Sequence, residues 1–369
     1  MNFKDKITKK FPQLRKWGRK LKAKKWEKDS IVYYVGNRKE PLTPNSLKQG
    51  TSGSYTALIY LCQEWAKAGR KVTVYAPCDG KEGNYDGVEY VDYYKFNPED
   101  EFDILIIFQH SYILPLPIRA RKICFEWQDI YSPKLQPKEK LNQIDLIFAK
   151  SQYQRQLMDF VPDEKFVLLT NGINPNISKY SDNQKNPYKL IYASRYYRGL
   201  ENMLEYGWHI IKKEIPEAEL HIYYGFVFRE MSKDQEEWRN KMIKLMEQEG
   251  VFNHGMIAQE ELIKEKSTAS IHYYGGTYPE IDCISIRESA AVGCVPVTTT
   301  CGVFAEKKYC VLVKGEPKAR ETQEALAYKV VELLKNPEQL SQIRKEFMEL
   351  AQQETWDKIA PQWLAEFDK

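Results

Sequence analysis

The sequence predicts an α/β protein with two Rossmann-like doubly wound domains facing across a cleft, preceded by a basic N-terminal helical arm. Three observations carry that expectation. The 369 residues amount to two or three domains at about 150 residues each. Short apolar runs rich in β-branched and aromatic residues alternate with longer stretches of helical period, the pattern of strand, helix and strand in a parallel sheet. The alternation is interrupted once, by the polar stretch 175–188 with two prolines and no apolar period.

Residues 1–29 are read as the arm. Twelve Lys or Arg against Asp5, Glu27 and Asp29 give it +9 and leave −5 on residues 30–369. Phe3, Ile7, Phe11, Leu14 and Leu21 recur at spacings of three, four and seven, one apolar stripe on a basic helix, with Trp17 and Trp26 as interfacial anchors. An anionic membrane surface is the expected partner, worth about 1 kcal/mol per Lys or Arg near the headgroups. A solvated tail and contact with nucleic-acid phosphates are the competing readings, nucleic acid being the less expected partner.

The first domain is expected over 30–175. Its strands are read at 31–35, 72–75, 104–108, 122–125, 146–149 and 166–169, with a helix over 54–69 that carries Leu58, Leu61, Cys62 and Trp65 at helical spacing and closes at Gly69. Residues 175–188 are read as the interdomain linker. The second domain, 176–351, continues with strands at 190–193, 219–224, 270–274 and 295–299 and helices at 200–214, 235–249 and 286–292. The tail 324–369 is helical in pattern, with Trp356 and Trp363 available for packing, and its last part, 352–369, is expected to complete the first domain.

Composition excludes several classes. At 43% hydrophobic residues and a mean hydropathy of −0.59, the chain is too apolar for disorder and too polar for a membrane bundle. It has no apolar run near the ~20 residues of a membrane span and no signal-peptide h-region, so it is expected to stay in the cytoplasm. The seven cysteines are an odd set without a C-x-x-C pair, which argues against a disulfide framework and a zinc site.

In open parallel sheets ligands bind beyond the carboxyl ends of the strands, so the chemistry is sought in those loops. Gly50-Thr-Ser-Gly53 opens the first helix, where free N–H groups attract phosphate. Arg195 and Arg198 stand at the strand-to-helix junction that opens the second domain, a clamp for a pyrophosphate; the competing reading is surface arginines paired with Glu201 and Glu205. Glu280 lies in a later loop and Glu288 in the first turn of a short helix, two carboxylates facing one cleft. Glu288 has an alternative duty, a capping box with Ser285. Tyr223, Tyr224, Tyr273 and Tyr274 lie near sheet ends, available to stack on a base or sugar.

These residues together resemble a known family. Glu280 and Glu288 form the E-x7-E pattern of GT-B-fold glycosyltransferases, and 289–297 (SAAVGCVPV) resembles the family-4 run E-A-M-A-x-G-x-P-V. The Arg195/Arg198 segment is similar to G-R-x-x-x-x-K-G, Asn171-Gly172-Ile173-Asn174 to an N-G-V-D turn, Gly302 to Glu306 to G-G-x-x-E, and 251–257 to the base-side strand and turn. The resemblance covers most of the chain.

It implies a retaining, metal-independent hexosyltransferase using a nucleotide-sugar donor, UDP- or GDP-linked, with no cofactor and a glycan or lipid-linked acceptor, in cell-surface polysaccharide synthesis, which the basic arm would place at the cytoplasmic face of a membrane. Arg195 and Arg198 would neutralise the departing diphosphate, Glu288 hold the ribose, and the Met256–Ile257 backbone meet the base. Glu280 and the N–H groups of Asp282, Cys283 and Ile284 would hold the sugar, with Gly53 approaching the phosphates. Two departures stand out: an Arg at 198 where the family mostly has Lys, and Trp127 or Gln128 where it often has a His, leaving His110 as the substitute contact. The rivals are a GT-B-fold nucleotide-sugar 2-epimerase, an inactive nucleotide-binding module, and transfer to DNA or protein.

Overall fold

A computed structural model describes residues 19–115, 118–226 and 232–369. The first sheet follows from strands whose residues are apolar on both faces, as a parallel sheet covered by helices requires. β1 (Ile31–Tyr34) lies at its centre, and Ile31, Val32 and Tyr33 are fully buried. β2 (Val72–Ala76) and β5 (Glu101–Phe108) flank it in parallel, β6 (Arg119–Glu126), β7 (Leu146–Ala149) and β8 (Phe166–Leu168) extend one side, and β3 (Gly83–Tyr85) and β4 (Val88–Asp92) the other. The order is β3-β4-β2-β1-β5-β6-β7-β8, with only β3–β4 antiparallel.

The helix between β1 and β2 is α1 (Gly53–Lys67). The Ser52 hydroxyl accepts from the Tyr55 N–H at its start, and Leu58, Leu61, Cys62 and Trp65 are buried. The β3–β4 hairpin was not expected. Its turn is Asp86-Gly87, both at positive φ (52° and 84°), the geometry that favours Asp-Gly in two-residue hairpins.

The second sheet has the order β11-β10-β9-β12-β13-β14, all parallel. Its strands are β9 (Asn186–Ala193), β10 (Glu219–Tyr223), β11 (Val251–Gly255), β12 (Ala269–Tyr274), β13 (Val295–Thr299) and β14 (Val311–Val313). The strand order reverses direction between β9 and β12, so a ligand crevice is expected beyond their carboxyl ends. After β9 the chain runs helically through Leu200–Asn202, a π turn at Met203–Gly207 and Trp208–Glu214, together α2. α3 (Lys233–Met246), α4 (Gln259–Thr268), α5 (Ile284–Ala291), α6 (Arg320–Lys335) and α7 (Pro337–Ala351) complete this half.

Residues 175–188 are not a bare linker. Pro175–Tyr180 is a 3-10 turn that buries Ile177, and β9 begins at Asn186. α8 (Trp356–Asp368) returns to the first sheet, where Trp363 stacks on Phe148 at 3.7 Å and meets Trp65 edge-on at 5.6 Å. The aromatic face at helical spacing drives this docking.

The stripe predicted for the arm lies largely in residues 1–18, outside the described residues. From Arg19 the chain is helical only to Leu21. Trp26 is not an exposed anchor: its indole donates to Asp100 at 2.9 Å, it stacks on Phe102 at 6.0 Å, and its backbone N–H donates to the Glu101 carbonyl. An indole N–H that finds a buried-side carboxylate gains more by docking than by facing solvent. Leu21 remains 69% exposed.

Candidate active site

A cleft of about 430 Å³ lies between the two sheets at the carboxyl ends of their strands, within the ~300–1,000 Å³ of small-molecule sites. The first sheet contributes Arg38 after β1, Gln109 after β5, Gln128 and Asp129 after β6, and Thr51 to Thr56 at the start of α1. The second contributes Arg195 and Arg198 after β9, Tyr224 after β10, Tyr278 and Glu280 to Ser285 after β12, and Gln259, Lys266 and Glu288 from α4 and α5.

Of the residues singled out in the sequence, Gly53, Arg195, Arg198, Glu280, Asp282, Cys283, Ile284 and Glu288 line this cleft together. Neither arginine pairs with Glu201 or Glu205, which bind Lys241 instead. Arg195 donates to the Tyr197 hydroxyl at 2.7 Å and the Tyr224 hydroxyl at 3.3 Å, and neither partner is a carboxylate. Arg198 donates to Glu280 at 2.7 Å and lies 4.4 Å above the Tyr278 ring, while its Nε, buried, has no partner. Glu280 also accepts from the Tyr274 hydroxyl at 2.9 Å, and Tyr278 donates to Asp129 across the cleft at 3.0 Å. Gly199, at φ +113°, lets this turn close: a Cβ there would run into the Gly275 carbonyl.

The capping box at Ser285 does not form. Cys283, at φ +62°, is the N-cap of α5, no side chain caps the helix, and the Ser285 hydroxyl donates instead to the Ala193 carbonyl at 2.9 Å. Its first-turn N–H groups are left beside the cleft, where helix ends attract anions. Glu288 is released from capping and accepts from Gln259 and Lys266, each at 2.6 Å.

The Asp282 carboxylate does not face the cleft. It accepts from Arg287 (3.0 and 2.5 Å), Lys307 (2.7 Å), the Thr170 hydroxyl (2.7 Å) and the Asn171 N–H (3.1 Å), joining the two halves below the site. Burial alone would raise this carboxyl, but Arg287 and Lys307 outweigh it and hold it well below the usual range. Arg287 further binds Glu354 and Thr170, the Ser151 hydroxyl donates to the Ile281 carbonyl at 2.7 Å, and Glu306 accepts from the Gln152 and Tyr153 N–H groups.

His110 is not in the cleft wall. Its ring is bonded to Arg38 and stacked on Tyr112 at 5.6 Å. Burial and the Arg38 charge push it down to about 4, so it is neutral at physiological pH and serves as an acceptor for Arg38. At the family's histidine position Trp127 is fully buried, while Gln128 lines the cleft, donating to Glu126 (2.7 Å) and Asn171 (2.8 Å). Met256 and Ile257 also lie outside the wall. Gly50 packs directly against them, and Met256 is 46% exposed. Of the four tyrosines only Tyr224 reaches the cleft; Tyr273 and Tyr274 are buried, and Tyr223 is tied to Glu265. Arg38, Asp129, Gln259, Lys266 and Tyr278 were not singled out; Arg38, Asp129 and Tyr278 do follow strand ends, but the contacts of Tyr278 with Asp129 and of Gln259 and Lys266 with Glu288 join groups distant in sequence.

Among the described residues no three His, Cys, Asp or Glu side chains are gathered as a metal-ligand set, and no helix is long and apolar enough to cross a membrane.

The chain has the GT-B fold, in which two parallel-sheet domains flank a cleft. It superposes on HepE from Anabaena, solved with UDP and glucose, at 15% identity, a TM-score of 0.69, and 92% and 99% coverage of the two chains. Sucrose-phosphate synthase from Thermosynechococcus elongatus matches at 13% identity, TM-score 0.69, and 92% and 98% coverage. A glycosyltransferase from Rickettsia africae matches at 13% identity, TM-score 0.67, and 93% and 98% coverage. No family model and no curated protein sequence matches the chain.

Proposed function

We propose that this protein is a metal-independent, family-4-like glycosyltransferase that moves a sugar from a nucleotide-sugar donor to a glycan or lipid-linked acceptor with retention at the anomeric carbon. The observation that carries the reading is Arg195. It is a partly buried guanidinium in the cleft wall whose hydrogen bonds go to two tyrosine hydroxyls, beside Arg198 and opposite the start of α1. A cation held in a cleft with no carboxylate against it is an anion site. HepE was solved with UDP and with UDP-glucose in this fold, which supports a nucleotide-diphosphate sugar as the anion.

Breaking the glycosyl–phosphate bond builds negative charge on the diphosphate and positive charge at the sugar. Arg195, Arg198 and the uncapped N–H groups of α5 are fixed before the reaction, so they favour the transition state over the ground state. Glu280, held by Arg198 and Tyr274, faces the sugar hydroxyls. Asp129, Gln128 and Arg38 form the acceptor side. The basic residues 19–25, the exposed Leu21 and the +9 charge of residues 1–29 favour an anionic membrane surface on the cytoplasmic side as the place of work.

Calorimetric titration with UDP, GDP, dTDP and ADP tests the donor site. One nucleotide binds, and Arg195→Ala weakens it by about 2–5 kcal/mol, the loss expected when a buried charge contact is removed. Binding to none of them, or an Arg195→Ala protein within twofold of the parent, refutes the assignment.

A further inference from the structure

Arg38 carries a charge that no group of the protein neutralises. It follows β1 in the cleft wall and is half-buried. Its guanidinium is bonded to the His110 ring, which is neutral, and donates to the Phe108 carbonyl at 3.1 Å, while its Nε, buried, has no partner. Among the described residues no carboxylate pairs with it. Glu40 and Lys39 stand beside it in the same wall, both exposed. Asp129 is near enough to act on Arg38 through its field, but it is bonded to the Tyr278 hydroxyl at 3.0 Å and the Ile130 N–H at 2.8 Å. Burial pulls the Arg38 pKa below the ordinary arginine value, and the fields of Tyr55, Tyr112 and Asp129 do not offset it. The support under this cation is built against a backbone preference: Gln109, between Phe108 and His110, is left-handed at φ +61°, and the fully buried Gln136 side chain donates to its carbonyl at 2.9 Å. A partly desolvated guanidinium held only by neutral acceptors is unsatisfied until an anion meets it.

We propose that Arg38, held by His110 and the Phe108 carbonyl and joined by Lys39, binds an oxyanion on the acceptor, a phosphate ester or a carboxylate, so that the protein selects charged acceptors over neutral ones. The inference rests on the reading of the cleft given above, in which Arg195 and Arg198 of the second sheet take the donor and the first sheet takes the acceptor. A neutral acceptor offers Arg38 only hydroxyls, so the charge stays uncompensated in the complex, whereas an oxyanion meets the planar fork with two parallel hydrogen bonds.

The test is calorimetry on the full chain saturated with whichever of UDP, GDP, dTDP and ADP it binds, so that Arg195 and Arg198 are occupied. The titrants are glucose, glucose 6-phosphate, glucuronate and inorganic phosphate, for the parent, Arg38→Gln and Arg38→Lys. In the parent a charged sugar binds at least about tenfold more tightly than glucose, inorganic phosphate competes with it, and the tighter of the two charged sugars tells a phosphate from a carboxylate. Arg38→Gln abolishes the preference, and Arg38→Lys, which keeps the charge without the fork, lowers it at least about threefold; both bind the nucleotide within about twofold of the parent. Arg38→Lys carries the test if Arg38→Gln does not fold. Equal binding of charged and neutral sugars by the parent, or a preference that survives both variants, overturns the proposal and leaves the donor site standing. A nucleotide affinity that falls about tenfold in Arg38→Gln overturns it too, because Arg38 would then hold the donor diphosphate. A parent that binds no nucleotide refutes the donor-site reading; the same titrants on the nucleotide-free chain then decide Arg38 separately, since phosphate binding that Arg38→Gln removes and Arg195→Ala leaves keeps the anion site, and any other result overturns it.

Discussion

Asp282→Asn is the substitution that probes the seam under the active site. Asp282 is 1% exposed at its side chain, Arg287 is fully buried and Lys307 is 8% exposed. The amide keeps the volume, so no cavity opens, but it leaves two buried cations without their shared anion. Removing one partner of a buried pair costs about 3–5 kcal/mol. Arg287 keeps Glu354, which is 30% exposed, so the lower end, about 3 kcal/mol, is expected. Against a total of about 5–15 kcal/mol that is a large fraction. At a urea slope of about 3 kcal/mol per M, the midpoint falls by about 1 M. The sign of the pH dependence follows from the depressed Asp282 pKa. The stabilisation is present above the ordinary carboxylate value near 3.9 and is lost as pH falls below it. Parent and variant therefore differ by a constant amount from pH 5 to 8 and converge only below about pH 4. Urea unfolding followed by tryptophan fluorescence reads both; a difference under about 1 kcal/mol at pH 7 would show that charge does not hold the seam.

His110, pushed down to about 4 by burial and Arg38, stays neutral above pH 5, so the pH–rate profiles of the parent and His110→Asn should have the same shape from pH 5.5 to 8; a parent inflection near 6.5 that the variant lacks would contradict this. The same depressed value means that His110 costs the fold stability as pH falls from 6.5 towards 4, where the unfolded chain takes the proton first, and the parent should lose more stability there than His110→Asn in acid-range urea titrations. Trp363→Ala removes a ring stacked on Phe148 and edge-on to Trp65, at a cost of about 3–5 kcal/mol, read as a lowered thermal midpoint.

The architecture was legible because its evidence is local. β1, β2 and β5 are apolar runs long enough to stand out, and α1 carries Leu58, Leu61 and Trp65 on one face. The hairpin β3–β4 was missed although Asp86-Gly87 is its turn, because Gly83–Tyr85 holds too little apolar sequence to read as a strand. The capping box at Ser285 failed for a physical reason. Cys283 adopts a left-handed conformation and starts the helix earlier, while Ser285 and Glu288 find stronger partners in the Ala193 carbonyl and in Lys266. A local rule lost to a buried charge, as it must when the alternative is an ammonium without acceptors.

The same competition explains which site residues could be found in advance. Arg195, Arg198, Glu280 and Glu288 each sit within a few residues of a strand or helix end, so position alone nominates them. Their orientation depends on groups distant in sequence. Tyr278 cradles Arg198 and reaches Asp129, Lys266 and Gln259 grip Glu288, and Arg287 draws the Asp282 side chain away from the cleft into the seam. The loop after β12 therefore has two jobs divided between neighbouring residues: Glu280 faces the cleft and Asp282 binds the two halves together. Any motion that opens the cleft by separating the halves must strain the Asp282 contacts with Thr170 and Asn171. The geometry of the cleft and the attachment of the two halves are thus tied through two residues of a single loop.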